Sequence, residues 1–216
     1  MIPRVLLWDI DGTLIDTTGL ILAALDHTYR TFLNRILPPD DLRGIIGIPL
    51  SEQMRIFGDP AEYGRDSGQM ESEFIRFYEA NRELERIVDE AVSALIAGKQ
   101  AGRPTALVTS KNRAEIANTL PRLGILPYVD AIISADDVAN PKPDPEGILL
   151  ALQKLDSGPG DALFIGDTVH DMRAGKAAGV RCCAVAWGAG PFELLIAESP
   201  EFFCENPADL RRIIGR

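Results

Sequence analysis

The sequence predicts an α/β fold with a doubly wound, mostly parallel, Rossmann-like sheet, and two observations carry that expectation. Short apolar runs end again and again in a polar cluster, and segments of helical periodicity separate them. A third observation adds a second part: between the first run and the rest lies a stretch that reads as helices alone.

The first apolar run is Val5-Leu6-Leu7-Trp8, which stops at Asp9. The same design recurs at residues 105–108 before Thr109, at 131–133 before Ser134 and at 162–165 before Gly166. Runs without polar alternation read as strands covered on both faces, the habit of parallel sheets. Between them, Ile87, Val88, Ala91 and Leu95 follow a helical period, as do Ile116, Leu120 and Leu123, and then Ile148, Leu149, Leu152 and Leu155. A further helix is expected at 174–178, a strand at 181–187 and a closing helix at 208–214. The core is therefore assigned to residues 1–16 and 84–216. Residues 17–83 form an inserted helical cap, with Ile21, Ala24, Leu25, Thr28 and Phe32 on one helix face and Phe74, Phe77 and Tyr78 on another. The middle of the insert, residues 58–68, is rich in glycine and charge and reads as a loop or helix break.

At 216 residues the chain is long enough for one full core and a smaller unit. The formal charge of −10 argues against nucleic acid or an anionic membrane as partner, because phosphate surfaces recruit basic patches, so a small substrate is expected. No apolar stretch approaches the ~20 residues of a membrane span, and residues 2–7 are too short for a signal peptide, so a cytoplasmic protein is expected. Cys182 and Cys183 lie in an apolar run and Cys204 is distant, which suggests neither a disulfide framework nor a metal site. Nothing decides between a monomer and a homodimer.

In open α/β sheets ligands bind at the carboxyl ends of the strands, near the reversal of strand order. The polar clusters all fall at such ends. Asp9-Ile10-Asp11-Gly12-Thr13 places two carboxylates two residues apart with a glycine for a sharp turn. Thr109-Ser110 follows another strand, Lys142 stands between Pro141 and Pro143, and Gly166-Asp167-Thr168-Val169-His170-Asp171 comes last. Four carboxylates in one crevice would repel one another unless a cation neutralised them. All-oxygen donors without paired His or Cys favour Mg2+ over zinc. Asp136 and Asp137 read as solvated turn residues and His170 as a surface helix residue.

These motifs resemble those of the haloacid dehalogenase superfamily of phosphotransferases, in particular its members with a helical cap after the first motif. Asp9 through Thr13 matches the first motif, Thr109 the second, Lys142 the third and Gly166-Asp167 through Asp171 the fourth, in order and over nearly the whole chain. The resemblance implies a hydrolase in which Asp9 attacks phosphorus and Asp11 protonates the leaving oxygen, then activates water. It further implies that Asp9 and Asp167 hold Mg2+ with the Asp11 carbonyl, that Asp171 binds or orients the metal shell, and that Thr109, Ser110 and Lys142 offset charge on the phosphoryl oxygens, with Thr13 beside them.

Dehalogenases of the family lack an acid at the place of Asp11, so phosphoryl transfer is expected. A phosphonate hydrolase needs a cap lysine, and the first lysine of this chain is Lys99. Residues 44–50 and 185–188 are similar to segments of phosphoglycolate phosphatases and related pyrophosphatases. In such relatives the loop around Gly47 closes over the site and Arg43 would meet a substrate carboxylate; Arg43 reads equally as a solvated arginine, and the glycines and Pro49 as turn chemistry. The leading expectation is Mg2+-dependent hydrolysis of a small phosphomonoester, phosphoglycolate-like or a sugar phosphate. Alternatives are a sugar-phosphate mutase, a pyrophosphatase, or a binding protein that has lost turnover.

Overall fold

The computed structural model describes residues 3–57 and 67–214 of the chain. Strand β1 (Val5–Trp8) is followed by the short β2 (Ile15–Asp16) and four helices, α1 (Thr18–Leu33), α2 (Pro39–Gly44), α3 (Leu50–Phe57) and α4 (Ser67–Ala80). The chain returns through β3 (Arg86–Ile87), which pairs antiparallel with β2, so both crossings between the helices and the rest of the molecule lie side by side. It continues as α5 (Asp89–Gln100), β4 (Thr105–Val108), α6 (Arg113–Leu123), β5 (Ala131–Ile133), α7 (Glu146–Lys154), β6 (Ala162–Gly166), α8 (Val169–Ala177), β7 (Arg181–Val185), α9 (Phe192–Ala197), β8 (Phe202–Cys204) and α10 (Asp209–Ile214).

Six of the strands form one parallel sheet in the order β5-β4-β1-β6-β7-β8. The chain leaves β1 toward one edge and returns to its other side with β6, so strand order reverses at β1 and opens a crevice at the carboxyl ends of β1, β4 and β6. Both faces of β1 are buried. Leu6 and Trp8 pack with Leu95, Ile116, Leu120 and Ile214, while Val5 and Leu7 pack with Ile148, Leu152 and Ala174. Burial on two faces is why the strand shows no polar alternation.

The described helices between β2 and β3 gather a separate cluster around Ala24, Tyr29, Met54, Met70 and Phe74, which Ala189 from the sheet side joins. Ile21, Ala24, Leu25 and Thr28 are buried along α1 as their spacing predicts, and Phe32 packs at the margin. The expected loop over 58–68 falls mainly on residues 58–66, outside the described residues; Ser67 and Gly68 already belong to α4.

Several details depart from the sequence reading. The strand expected over 181–187 stops at Val185, because Trp187 turns back and its indole donates to the Thr13 carbonyl at 3.1 Å. The three-residue β8 was not anticipated, and it brings Cys204 Sγ to 3.6 Å from Cys183 Sγ, so cysteines distant in sequence are neighbours in the sheet. All three cysteines are free and buried. Among the described residues no helix is long and apolar enough to cross a membrane.

Candidate active site

The end of each central strand delivers one part of the site. Asp9 follows β1, its amide donating to the Ile165 carbonyl of β6 at 2.9 Å, and the chain then winds tightly enough that the amides of Thr13, Leu14 and Ile15 all reach the Ile10 carbonyl. Gly12 makes that turn possible with φ +73°, and its lack of a Cβ lets Asp167 approach, since a Cβ there would stand 2.1 Å from Asp167 Oδ2. Thr109 leaves β4 with its amide on the Ile133 carbonyl at 3.0 Å. Asp167 leaves β6, and Thr168 caps α8 in a reciprocal box with Asp171: the Asp171 amide donates to Thr168 Oγ1, and Asp171 Oδ2 accepts from the Thr168 amide at 3.0 Å and hydroxyl at 2.6 Å.

Lys142 joins these parts. Its ammonium donates to Asp9 Oδ1 and to Asp171 Oδ1, both at 2.6 Å. Oxygens of Asp9, Asp167 and Asp171 lie within 4.8 Å of one another, and all three residues are buried. Asp167 is fully enclosed, accepting from Thr13 Oγ1 at 3.2 Å and from the Ala189 amide at 2.7 Å. Burial above all, with lesser repulsion from Asp171 and Asp11, outweighs the Lys142 ammonium and pushes the Asp9 carboxyl up to about 7. Burial and the charges of Asp171 and Asp9 hold Asp167 well above the ordinary carboxylate range. Burial works against the charge on Lys142, but Asp171 and Asp9 outweigh it and raise its pKa. Three buried carboxylates thus face one ammonium. The three carboxylates outnumber their one cation, offer only oxygen donors and include neither His nor Cys, which fits a hard divalent cation such as Mg2+.

The Asp11 carboxylate stands outside this group. It accepts from Thr17 Oγ1 at 2.9 Å and pairs with Lys111 Nζ at 3.1 Å, so a part for Asp11 at a cation would fall to its backbone carbonyl. Lys111 was not singled out from the sequence, although it directly follows the Thr109-Ser110 pair. It is 9% exposed. Burial opposes its charge, yet Asp11 and Glu115 prevail and raise its pKa. Its ammonium also lies over the Tyr78 ring at 5.4 Å, and Tyr78 is fixed in turn because its hydroxyl donates to Glu85, which Arg122 also binds.

A cavity opens beside these groups, and Asp9, Asp11, Thr109, Ser110, Gly47 and Lys142 all border it. Ser110 Oγ donates to the Gly47 carbonyl at 2.6 Å, so the loop before α3 rests directly on the strand ends. Two expected substrate contacts are not at this wall. Thr13 is fully buried and its hydroxyl is spent on Asp167, which makes it a support for that carboxylate. Arg43 lies on α2 beside the buried Leu42 and does not border the cavity; among the described residues the arginine that does is Arg82, in the turn after α4. Gln53, Tyr78 and Glu115 also border it. Asp137 is no free turn residue, since it accepts from the Ser134 amide and hydroxyl and pairs with Arg113.

The family model for haloacid dehalogenase-like hydrolases matches residues 6–185. The chain belongs to this family. Pyrophosphatase PpaX of Bacillus velezensis is 36% identical to this haloacid dehalogenase-like hydrolase over 211 residues, covering 97% of this chain and 95% of that one. Two solved structures share the fold: a predicted phosphoglycolate phosphatase from Haemophilus somnus (TM-score 0.82, 19% identity, 97% of each chain) and the beta-phosphoglucomutase of Clostridium difficile (TM-score 0.81, 20% identity, 100% of this chain and 98% of that one). As a haloacid dehalogenase-like hydrolase the chain has its four motifs at one crevice.

Proposed function

We propose that this hydrolase cleaves a small phosphomonoester in two displacements, the first of which places the phosphoryl group on Asp9. The observation that supports the reading most directly is Asp9 itself, a carboxylate at the tip of the central strand bordering the cavity and held by Lys142 in a buried acidic group. Attack by Asp9 Oδ forms the bond to phosphorus as the leaving oxygen departs, and water then releases phosphate and restores the carboxylate. Asp11, in the same wall, supplies the proton to the leaving oxygen and removes one from the attacking water, with Lys111 and Thr17 fixing its orientation. Lys142 and Thr109 offset charge on the phosphoryl oxygens. Asp9, Asp167 and Asp171 would hold Mg2+ together with the Asp11 carbonyl, and when bound the ion would neutralise the carboxylates and polarise the phosphoryl group. Residues 17–83 act as a cap that excludes water, with residues 1–16 and 84–216 as the catalytic core. The substrate is a small metabolite of the cytoplasm.

A second reading has pyrophosphate as substrate, and the 36% identity to a pyrophosphatase over nearly the full chain favours it. One experiment addresses both. Phosphate release is measured over a panel of phosphomonoesters and pyrophosphate, with Mg2+ and with EDTA. Activity that needs Mg2+ and disappears in Asp9→Asn, with the variant still folding, is expected. Undiminished turnover by Asp9→Asn would refute the nucleophile.

A further inference from the structure

Gln53 presents an acceptor that the protein itself does not satisfy. It lies in α3, 7% exposed, and borders the same cavity as Asp9 and Asp11. Its amide group donates from Nε2 to the Ile48 carbonyl at 2.8 Å, which settles the orientation of the side chain, because the reverse would set two acceptor oxygens together. Oε1 is therefore the atom left free of that bond, and it is buried without a hydrogen-bond partner. The backbone beneath is equally fixed: the Gln53 amide donates to the Pro49 carbonyl at 3.0 Å and the Tyr29 hydroxyl donates to the Gln53 carbonyl at 2.6 Å.

Most of the other polar groups of the wall have partners within the protein. Ser110 donates to Gly47, Lys111 pairs with Asp11, Tyr78 donates to Glu85 and Glu115 accepts from the Asn112 amide. Arg82 binds Glu79 through NH2, while its Nε, 4.0 Å from Glu85 Oε1, has no hydrogen-bond partner and is the one unmet donor beside the Gln53 acceptor among these groups. Around Gln53 the wall is apolar, made by Ile21, Ile46, Ile48, Leu50 and Phe74. An unmet acceptor in apolar surroundings costs about 1–3 kcal/mol, and a ligand that brings a donor recovers it.

We propose that Gln53 is a specificity residue that accepts a hydrogen bond from a hydroxyl on the leaving group, so that the substrate is a hydroxylated phosphomonoester, such as a phosphorylated polyol or sugar. This rests on the phosphatase reading above and narrows it. A leaving group that offers only acceptors, such as a carboxylate, or chiefly acceptors, as a second phosphate does, sets its lone pairs against Oε1. An ammonium would meet the cations Lys111 and Arg82 in the same wall. A hydroxyl satisfies the acceptor without a charge.

The test compares kcat/KM for glycerol phosphate and a hexose phosphate with that for n-propyl phosphate, phosphoethanolamine and pyrophosphate. Wild-type protein is expected to favour a hydroxylated ester over its deoxy counterpart by about ten- to a hundredfold. Gln53→Met should bring that ratio close to one, whereas Gln53→Glu, which keeps an acceptor but loses the bond to Ile48, should retain it. A purely structural role would affect both variants alike and leave the ratio untouched. If a variant lacks a cooperative thermal transition, the wild-type ratio decides. Phosphate release without a hydroxyl preference, or a preference for pyrophosphate or the amine, overturns the assignment of Gln53 alone. Release from no ester and not from pyrophosphate refutes the phosphatase reading, and this assignment with it.

Discussion

Gly12 and Gly102 share a backbone conformation, with φ +73° and +82°, but differ in surroundings. Nothing lies within 4 Å of where a Cβ on Gly102 would be, whereas one on Gly12 would run into the Asp167 carboxylate. Alanine at Gly102 should therefore cost only the left-handed backbone, about 1 kcal/mol, with activity intact. Alanine at Gly12 should cost more, because it also displaces a buried carboxylate, and should reduce kcat/KM by about a hundredfold or more. Thermal unfolding and phosphate release on the two variants check the contrast; equal activity would show that Asp167 need not stay where it is. Asp9, Asp11 and Asp167 were legible because local spacing at a strand end fixes such residues, and Lys142 because it stands between two prolines in the order of the motifs. Lys111, Gln53 and Arg82 were not. Lys111 stands at a strand end but its pairing with Asp11 is long-range, Gln53 and Arg82 come from the helical insert and the turn after it, and no spacing rule connects Gln53 to Asp9.

At the scale of elements, three strand-end connections carry the same device. Asn112 with Glu115, Ser134 with Asp137 and Thr168 with Asp171 each form a capping box, in which a short polar side chain and an acid three residues on satisfy each other's amides. Only the third adds a bond to Lys142. The spacing of a short polar residue and an acid three residues on is the same in all three, so that local pattern does not show which acid reaches Lys142. Small elements were lost for a related reason: β8 has three residues and α9 six, too few for a period to show. Asp137 supplies a pH test. The Ser134 hydroxyl, foremost, and then the Ser134 amide and Arg113 hold it down to about 2 against an ordinary value of 3.8. A lowered carboxylate stabilises the fold above its unfolded value, and that contribution fades as pH falls from about 4 toward 2. Asp137→Asn should thus melt below wild type at neutral pH and converge with it near the acid end. A difference in melting temperature that stays constant down to that end would count against the assignment.

For the whole molecule, the crevice at the strand reversal is where the fold concentrates its electrostatic cost. A chain of net charge −10 buries Asp9, Asp167 and Asp171 together with Lys142 as their shared cation, and Asp9 and Asp167 have raised pKa values as a result. A divalent cation that binds only the folded state relieves that repulsion and adds RT ln(1 + [L]/Kd) to stability, about 2.7 kcal/mol at a hundredfold excess over Kd. For a protein of this size Mg2+ should raise the melting temperature by roughly 5–10 °C, reversed by EDTA. Asp167→Asn separates this from a general salt effect. An amide of the same shape can accept from Ala189 through Oδ1 and donate to Thr13 through Nδ2, so the enclosed site remains hydrogen-bonded while losing a charge. The variant should melt at or above the metal-free wild type and respond little to Mg2+. A wild-type protein indifferent to Mg2+, or a variant that shifts as far as wild type does, would remove the cation from these carboxylates.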